Sequence, residues 1–166
     1  MHAKSEDLFR RLDELAIRVE IHEHEPVFTV EEAKHLRGIL PGGHCKNLFL
    51  RSKKGEPWLI VCDEDRQVDL KALARRTGAG RFSFASPERL RETLGVEPGS
   101  VTPFALINDR DAAVRVVLDA AMMKYDPLNY HPLVNTATCA IARDDLVKFI
   151  EACGHKPQIM DLDGPI

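Results

Sequence analysis

The chain has 166 residues, 44% of them hydrophobic, with a formal charge of -3 and a pI of about 6.2. That length builds one core and leaves little room for a second, so residues 1–166 are read as a single domain. The mild acidity excludes a surface that is basic overall, so any RNA contact has to be a local patch. The N-terminus lacks an apolar leader segment and no run reaches the length of a membrane span, and a soluble, cytoplasmic protein without a membrane partner is expected.

Ser5 can cap a first helix, with Leu8, Leu12 and Leu15 at helical spacing, ending near Ala16. Ile17 to His24 alternates as a strand does, with Ile17, Val19 and Ile21 on one face and Arg18, Glu20 and His22 on the other, and Pro26 closes it. Thr29-Val-Glu-Glu32 is a capping box for a short helix from Ala33 to Leu36 that stops near Gly38. The loop Pro41-Gly42-Gly43 then leads into a hairpin: strand Lys46 to Arg51, turn Lys53-Lys54-Gly55, strand Trp58 to Cys62.

Asp69 caps a helix that turns Leu70, Leu73 and Ala74 inward and ends at Gly78, and Ser86-Pro87 repeats the device for a helix through Leu94, stopped by Gly95. Strands are expected at Phe104 to Ile107 and Val114 to Leu118, on either side of the turn Asn108 to Asp111. Asn135 to Ala142 reads as another strand. Asp144 caps the last helix, which carries Leu146, Phe149, Ile150 and Cys153 on one stripe, and Ile159 to Leu162 is a candidate edge strand. Strands interrupted by short helices without strict alternation indicate an α+β fold with a mixed, mostly antiparallel sheet.

The chemistry-bearing residues gather in three places. Lys46 begins a strand on the same side as Leu48 and Leu50, where it either meets an anionic ligand or reaches past its neighbours to solvent. The loop Gly99-Ser-Val-Thr-Pro103 either offers backbone N–H groups to a ligand oxygen or is simply a rigid connection. His131 stands between Asn129 and the amide- and hydroxyl-rich Asn135 to Thr138, a setting suited to proton transfer or ribose binding, or to ordinary turn packing. The most basic region, Lys71, Arg75, Arg76, Arg81, Arg89 and Arg91, either meets an RNA backbone or is a solvated face.

The four cysteines form no C-x-x-C pair and read as reduced thiols; Cys45 alternates with Lys46 and so should face away from it. His22-x-His24 lacks further ligands at a metal-binding spacing, and neither a dinucleotide fingerprint nor a P-loop is present, so neither metal nor cofactor is expected.

Taken together, Glu25-Pro-Val-Phe-Thr-Val-Glu-Glu-Ala33, Lys46-Asn-Leu-Phe-Leu50, Gly99 to Pro103 and Asn129-Tyr-His-Pro-Leu-Val-Asn-Thr-Ala-Thr138 resemble the YbaK/ProX family of aminoacyl-tRNA deacylases, in particular its freestanding prolyl-tRNA editing members. The resemblance implies a barrel-like mixed sheet surrounded by helices. It implies a hydrolase that clears a mischarged amino acid, alanine first and cysteine or another small residue as the alternative, from tRNA(Pro) while sparing proline. A non-catalytic module binding aminoacyl-tRNA or a synthetase is the other reading. Lys46, Gly99 and His131 would carry the activity. Asn47 and Pro103 would line the substrate site, with Val27, Phe28, Val30 and Leu36 as walls of a small amino-acid pocket. Arg81, with Lys71 and Arg75, would meet the tRNA acceptor end, and prolyl-tRNA synthetase would be a partner.

Overall fold

The computed structural model describes residues 2–25 and 40–162. The pocket walls expected at Val27, Phe28, Val30 and Leu36, and the capping box at Thr29 to Glu32, lie outside the described residues. In chain order the elements are α1 (Ser5–Glu14), β1 (Val19–Glu23), β2 (Gly43–Arg51), β3 (Pro57–Asp63), α2 (Leu70–Thr77), β4 (Ser83–Phe84), α3 (Pro87–Leu94), β5 (Arg115–Asp119), β6 (Leu128–Tyr130), β7 (Ala137–Ile141), α4 (Arg143–Ala152) and β8 (Gln158–Met160). Short 3-10 turns occupy Pro98–Ser100, Pro103–Asn108 and Met122–Lys124.

The strands form one mixed sheet in the order β1-β7-β6-β2-β3-β5-β8, with β4 paired to the far end of β2. The β2–β3 hairpin, β6–β7, β1–β7 and β2–β4 pairs are antiparallel; β2–β6, β3–β5 and β5–β8 are parallel. The architecture is therefore α+β, a mixed sheet flanked by helices.

Both faces of the central strands are covered, which explains why Trp58 to Cys62 reads as an unbroken apolar run. On one face Phe49, Leu59, Val61, Val116 and Leu118 pack with Leu8 and Leu12 of α1, Leu90 and Leu94 of α3 and Leu146, Phe149 and Ile150 of α4. On the other, Leu50, Trp58, Ile60 and Val117 meet Leu73 and Ala74 of α2, together with Ala79 and Phe82. Trp58 and Phe82 stand edge to face, centroids 5.3 Å apart, and Arg115 lies 5.5 Å over the indole. Helix α2 is delimited as the sequence predicts: the Asp69 carboxylate accepts from Ala72 N, and Gly78 ends the helix with φ 76°. Helix α3 uses Ser86 and Gly95 in the same way.

Four local expectations need correction. Phe104 to Ile107 is not a strand: Pro103–Asn108 is a 3-10 segment that starts where the Thr102 hydroxyl accepts from Phe104 N, buried against α3 and α4. An apolar run buried all round has no period that separates strand from helix. Helix α1 begins with Lys4 at its cap, whose N–H donates to Asp7, while the Ser5 hydroxyl donates to Pro132 O at 2.5 Å. Ala142, not Asp144, caps α4, and Asp144 and Asp145 lie in its first turn. Strand β2 starts at Gly43 rather than Lys46, because Gly43 and His44 pair with Leu128 and Asn129 of β6.

That start of β2 is clamped from two sides. Gly43 N donates to Pro127 O at 2.9 Å, and the Asn129 amide donates to Pro41 O and Gly43 O, each at 3.0 Å. Gly42 has φ +96°, and a side chain there would run into the Pro127 carbonyl. Gly42→Ala is predicted to lower unfolding free energy by more than ~1 kcal/mol, read by urea denaturation, since it combines left-handed strain with a backbone clash.

Candidate functional site

Among the described residues, the apolar covering of the second sheet face is confined to one part of it. Helix α2 and its apolar cluster stop over β3, β5 and the far half of β2. Beyond them, alternation along the strands puts His44 and Lys46 of β2, Asn129 of β6, Thr138 and Ala140 of β7, and Glu20 and His22 of β1 on this same face. Their neighbours Cys45, Leu128, Tyr130, Cys139 and Ile141 point into the other cluster. One half of the face is thus apolar and helix-covered, and the other half is polar.

Lys46 stands at the boundary. It pairs with Cys62 across the hairpin and precedes Leu48 and Leu50, the first side chains of the apolar half. The parallel β2–β6 ladder consists of Gly43–Leu128 and His44–Asn129 and stops short of Lys46. Lys46 and His131, both half-buried, each lie two residues beyond the last β2–β6 pair.

His131 is held in a defined state. Its Nδ1 lies 3.0 Å from Ala137 O, a partner that can only accept, so Nδ1 carries the proton. Burial holds its pKa below the usual 6.5, with His24 adding to the depression against the raising effect of the Ala137 carbonyl. The ring is then neutral at pH 7 and Nε2 offers a lone pair. His24, its ring centroid 6.5 Å away, donates from Nδ1 to Glu25 O at 2.7 Å and meets the Thr138 hydroxyl through Nε2 at 2.8 Å. Thr138, 5% exposed, is opposite His22 in the β1–β7 ladder. The His24–Thr138 contact joins residues from opposite ends of the chain. In the sequence its signal is the shared parity of His22 and His24 on one strand face, there weighed only as a metal motif.

The loop Gly99 to Pro103 borders a cleft of its own, which neither Lys46 nor His131 lines. Exposed Gly99 and buried Ser100 line a cleft with Leu133, Val134, Asn135 and Thr136 of the turn that follows His131. A Cβ added to Gly99 would come no closer than 3.9 Å to the Asn135 amide, so its backbone is open on that side. Pro103 is buried and anchors the loop beside Phe104, which packs on Tyr130 and Phe149. Gly99 therefore meets the turn that follows His131.

Other expected residues lie apart. Asn47 shares the face of Cys45 and Phe49 and pairs with Val61. Its Oδ1 is buried without a hydrogen-bond partner. Lys71 and Arg75 are exposed on α2, and Arg81 is exposed just before β4, by the end of β2 away from Lys46. The basic cluster is divided: Arg76 donates to Asp161 O, Arg89 to Gly55 O, and Arg91 pairs with Glu97 at 2.9 Å.

The thiols are poor nucleophiles. Burial pushes Cys45 up to about 12 and Cys62 up to about 11, with Tyr130 partly offsetting the first and Lys46 the second. Cys45 faces the core beside Tyr130, away from Lys46. Among the described residues no group of three or more His, Cys, Asp or Glu side chains is arranged to hold a metal ion, and no helix is long and apolar enough to cross a membrane.

Comparison with known proteins agrees with the motif resemblance. The aminoacyl-tRNA editing domain model matches residues 24–149. Prolyl-tRNA synthetase associated domain-containing protein 1 of Bos taurus is 40% identical over 161 residues, covering 94% of each chain. The prolyl-tRNA editing protein ProX of Acetoanaerobium sticklandii is 38% identical over 153 residues, covering 92% of this chain and 93% of its own. A crystal structure described as a candidate trans-editing enzyme for prolyl tRNA synthetase shares the fold, with a TM-score of 0.72 at 20% identity over 97% of this chain and 99% of that one. The extent of the family match and the near end-to-end similarity establish that this chain belongs to the aminoacyl-tRNA editing domain family.

Proposed function

We propose that this protein is a hydrolase acting in trans on mischarged tRNA(Pro), that alanine is the amino acid it releases, and that Pro-tRNA(Pro) is spared. The observation that carries the reading is the polar half-face of β2, β6, β7 and β1, with Lys46 and a neutral His131 each just beyond the β2–β6 pairing and the Gly99 loop against the turn that follows His131. The name of the ProX relative points to prolyl-tRNA, and the synthetase-associated name of the Bos taurus relative suggests prolyl-tRNA synthetase as a partner.

Chemically, an aminoacyl ester needs an attacking oxygen, a group to orient the carbonyl and donors for the charge that develops on it. Lys46 has the right charge to orient the terminal adenosine through its phosphate, or the ester carbonyl. His131 Nε2 can accept a proton or a hydrogen bond from the attacking water or the substrate ammonium. Open backbone at Gly99 suits the developing oxyanion. Water then adds to the carbonyl, the C–O bond to the ribose breaks, and the 3′-hydroxyl leaves with a proton. A small pocket for the amino acid would supply the discrimination, because a synthetase cannot reject alanine by size alone when its own pocket fits proline.

Incubation with Ala-, Cys- and Pro-charged tRNA(Pro), chelator present, tests this directly. Alanine is expected to be released at least ~100-fold faster than proline, in line with what a size-exclusion site achieves. Lys46→Ala is expected to lose at least ~100-fold in rate, the scale of one oriented polar group. Cysteine released in preference to alanine would change the substrate, and an unimpaired Lys46→Ala protein would remove the mechanism.

The pH profile has a defined sign. Protonation of Nε2 removes its lone pair, so kcat/KM should decline on the acid side, with the midpoint below the usual histidine value of 6.5 because the His131 pKa is lowered. His131→Asn should flatten that limb. Cys45→Ala, by contrast, should leave release within about twofold, since a buried thiol raised to about 12 has no thiolate to offer.

A further inference from the structure

Next to Lys46 the sheet ends in an open cleft of about 830 Å³ that the proposed mechanism does not use. One wall is the β3–α2 loop, with Asp63, Arg66 and Gln67; the other is the segment after β5, with Ala121, Lys124 and Tyr125. Lys46 does not line the cleft but lies one position along β2 from Cys45, the partner of Asp63. Asp63 is the residue after Cys62, the cross-strand partner of Lys46, and Lys46, Asp119 and Arg66 all act electrostatically on the Cys62 thiol.

The charge around the cleft is nearly balanced. Arg66 Nε lies 2.6 Å from the fully buried Asp119 Oδ2, a close ion pair although the two atoms lack the alignment of a hydrogen bond. Asp63 and Asp65 line the cleft opposite Lys124. Such a surface is not built to gather a run of phosphates. Its distinctive group is Tyr125, 48% exposed, which follows the Met122–Lys124 turn. Tyr125 rests directly on Gly43: a Cβ on that glycine would come 2.8 Å from Tyr125 Cβ and 3.1 Å from Cγ. The second glycine of the Gly42-Gly43 pair thus makes room for an aromatic side chain between the start of β2 and the cleft.

An exposed aromatic face with one ammonium group beside it, on the wall away from Asp63 and Asp65, in a cleft with room to spare for a nucleotide, fits one unpaired base with its phosphate at Lys124. We infer that this cleft holds the nucleotide preceding the aminoacylated one at an RNA 3′ end, its base stacked on Tyr125 and its phosphate beside Lys124. The inference rests on the deacylase reading, since it takes Lys46 to mark the terminal adenosine.

Two substrates separate the inference from that reading: alanyl-tRNA(Pro), and the alanyl ester of adenosine, which has no preceding nucleotide. Tyr125→Ala is expected to raise KM for the charged tRNA roughly tenfold, the scale of one lost base–aromatic stack, with kcat unchanged and the alanyl-adenosine kinetics unaltered. Tyr125→Phe should behave as the parent. As a readout independent of turnover, the indole introduced by Tyr125→Trp should be quenched by the trinucleotide CCA and not by adenosine, against the constant background of buried Trp58. An unchanged KM, an equal effect on both substrates, or equal quenching by adenosine would overturn the cleft assignment. If the unaltered protein cleaves neither ester, the deacylase reading fails, and quenching by CCA alone then decides whether the cleft is an RNA-end site.

Discussion

The organising constraint is an unequal coverage of one sheet. One face is packed along most of its width by α1, α3, α4 and the 3-10 segment after Thr102, whereas among the described residues the apolar cluster of the opposite face lies over β3, β5, β8 and the far half of β2. Side chains alternate between faces, so the strands β2, β6, β7 and β1 must satisfy two different surroundings with one backbone. Their core-facing positions are Cys45, Leu128, Tyr130, Cys139 and Ile141. Their other positions are free to be histidine, lysine, asparagine and threonine. The polar half-face is the part of the sheet that the second core, among the described residues, does not reach.

Polar groups on such a face have to be fixed by one another, because an unpaired buried polar atom is costly. Asn129 spends its amide protons on Pro41 O and Gly43 O, Thr138 meets His24, and His131 gives its Nδ1 proton to Ala137 O. These bonds hold the chain leading into β2 against β6 and fix which nitrogen of His131 is bare. Preorganisation of this kind means that the groups facing a ligand do not have to be reoriented when it arrives.

What could be read in advance divides along the range of the forces. Asp69 and Gly78, or Ser86 and Gly95, delimit their helices through hydrogen bonds and backbone angles within a few residues, and the sequence shows them directly. The face of β2 that carries Lys46 was legible through parity with Leu48 and Leu50. The Pro103–Asn108 turn was not, because burial on all sides erases periodicity. Neither was β6, whose three residues become a strand through partners from Gly43 and from β7. The meeting of His24 with Thr138 was also invisible, since no local pattern couples a strand near the start of the chain with one near its end.

The same pairing has a kinetic side. In β1–β7 Val19 faces Ile141, so joining these strands closes a loop of most of the chain, whereas the β2–β3 hairpin closes only a short turn. Loop closure costs entropy that rises with loop length, and contacts distant in sequence are slow to form. The hairpin bearing Lys46 can thus form from local search, while the histidines and threonine that share its face depend on long-range closure. Chain entropy places the completion of the polar half-face late in folding.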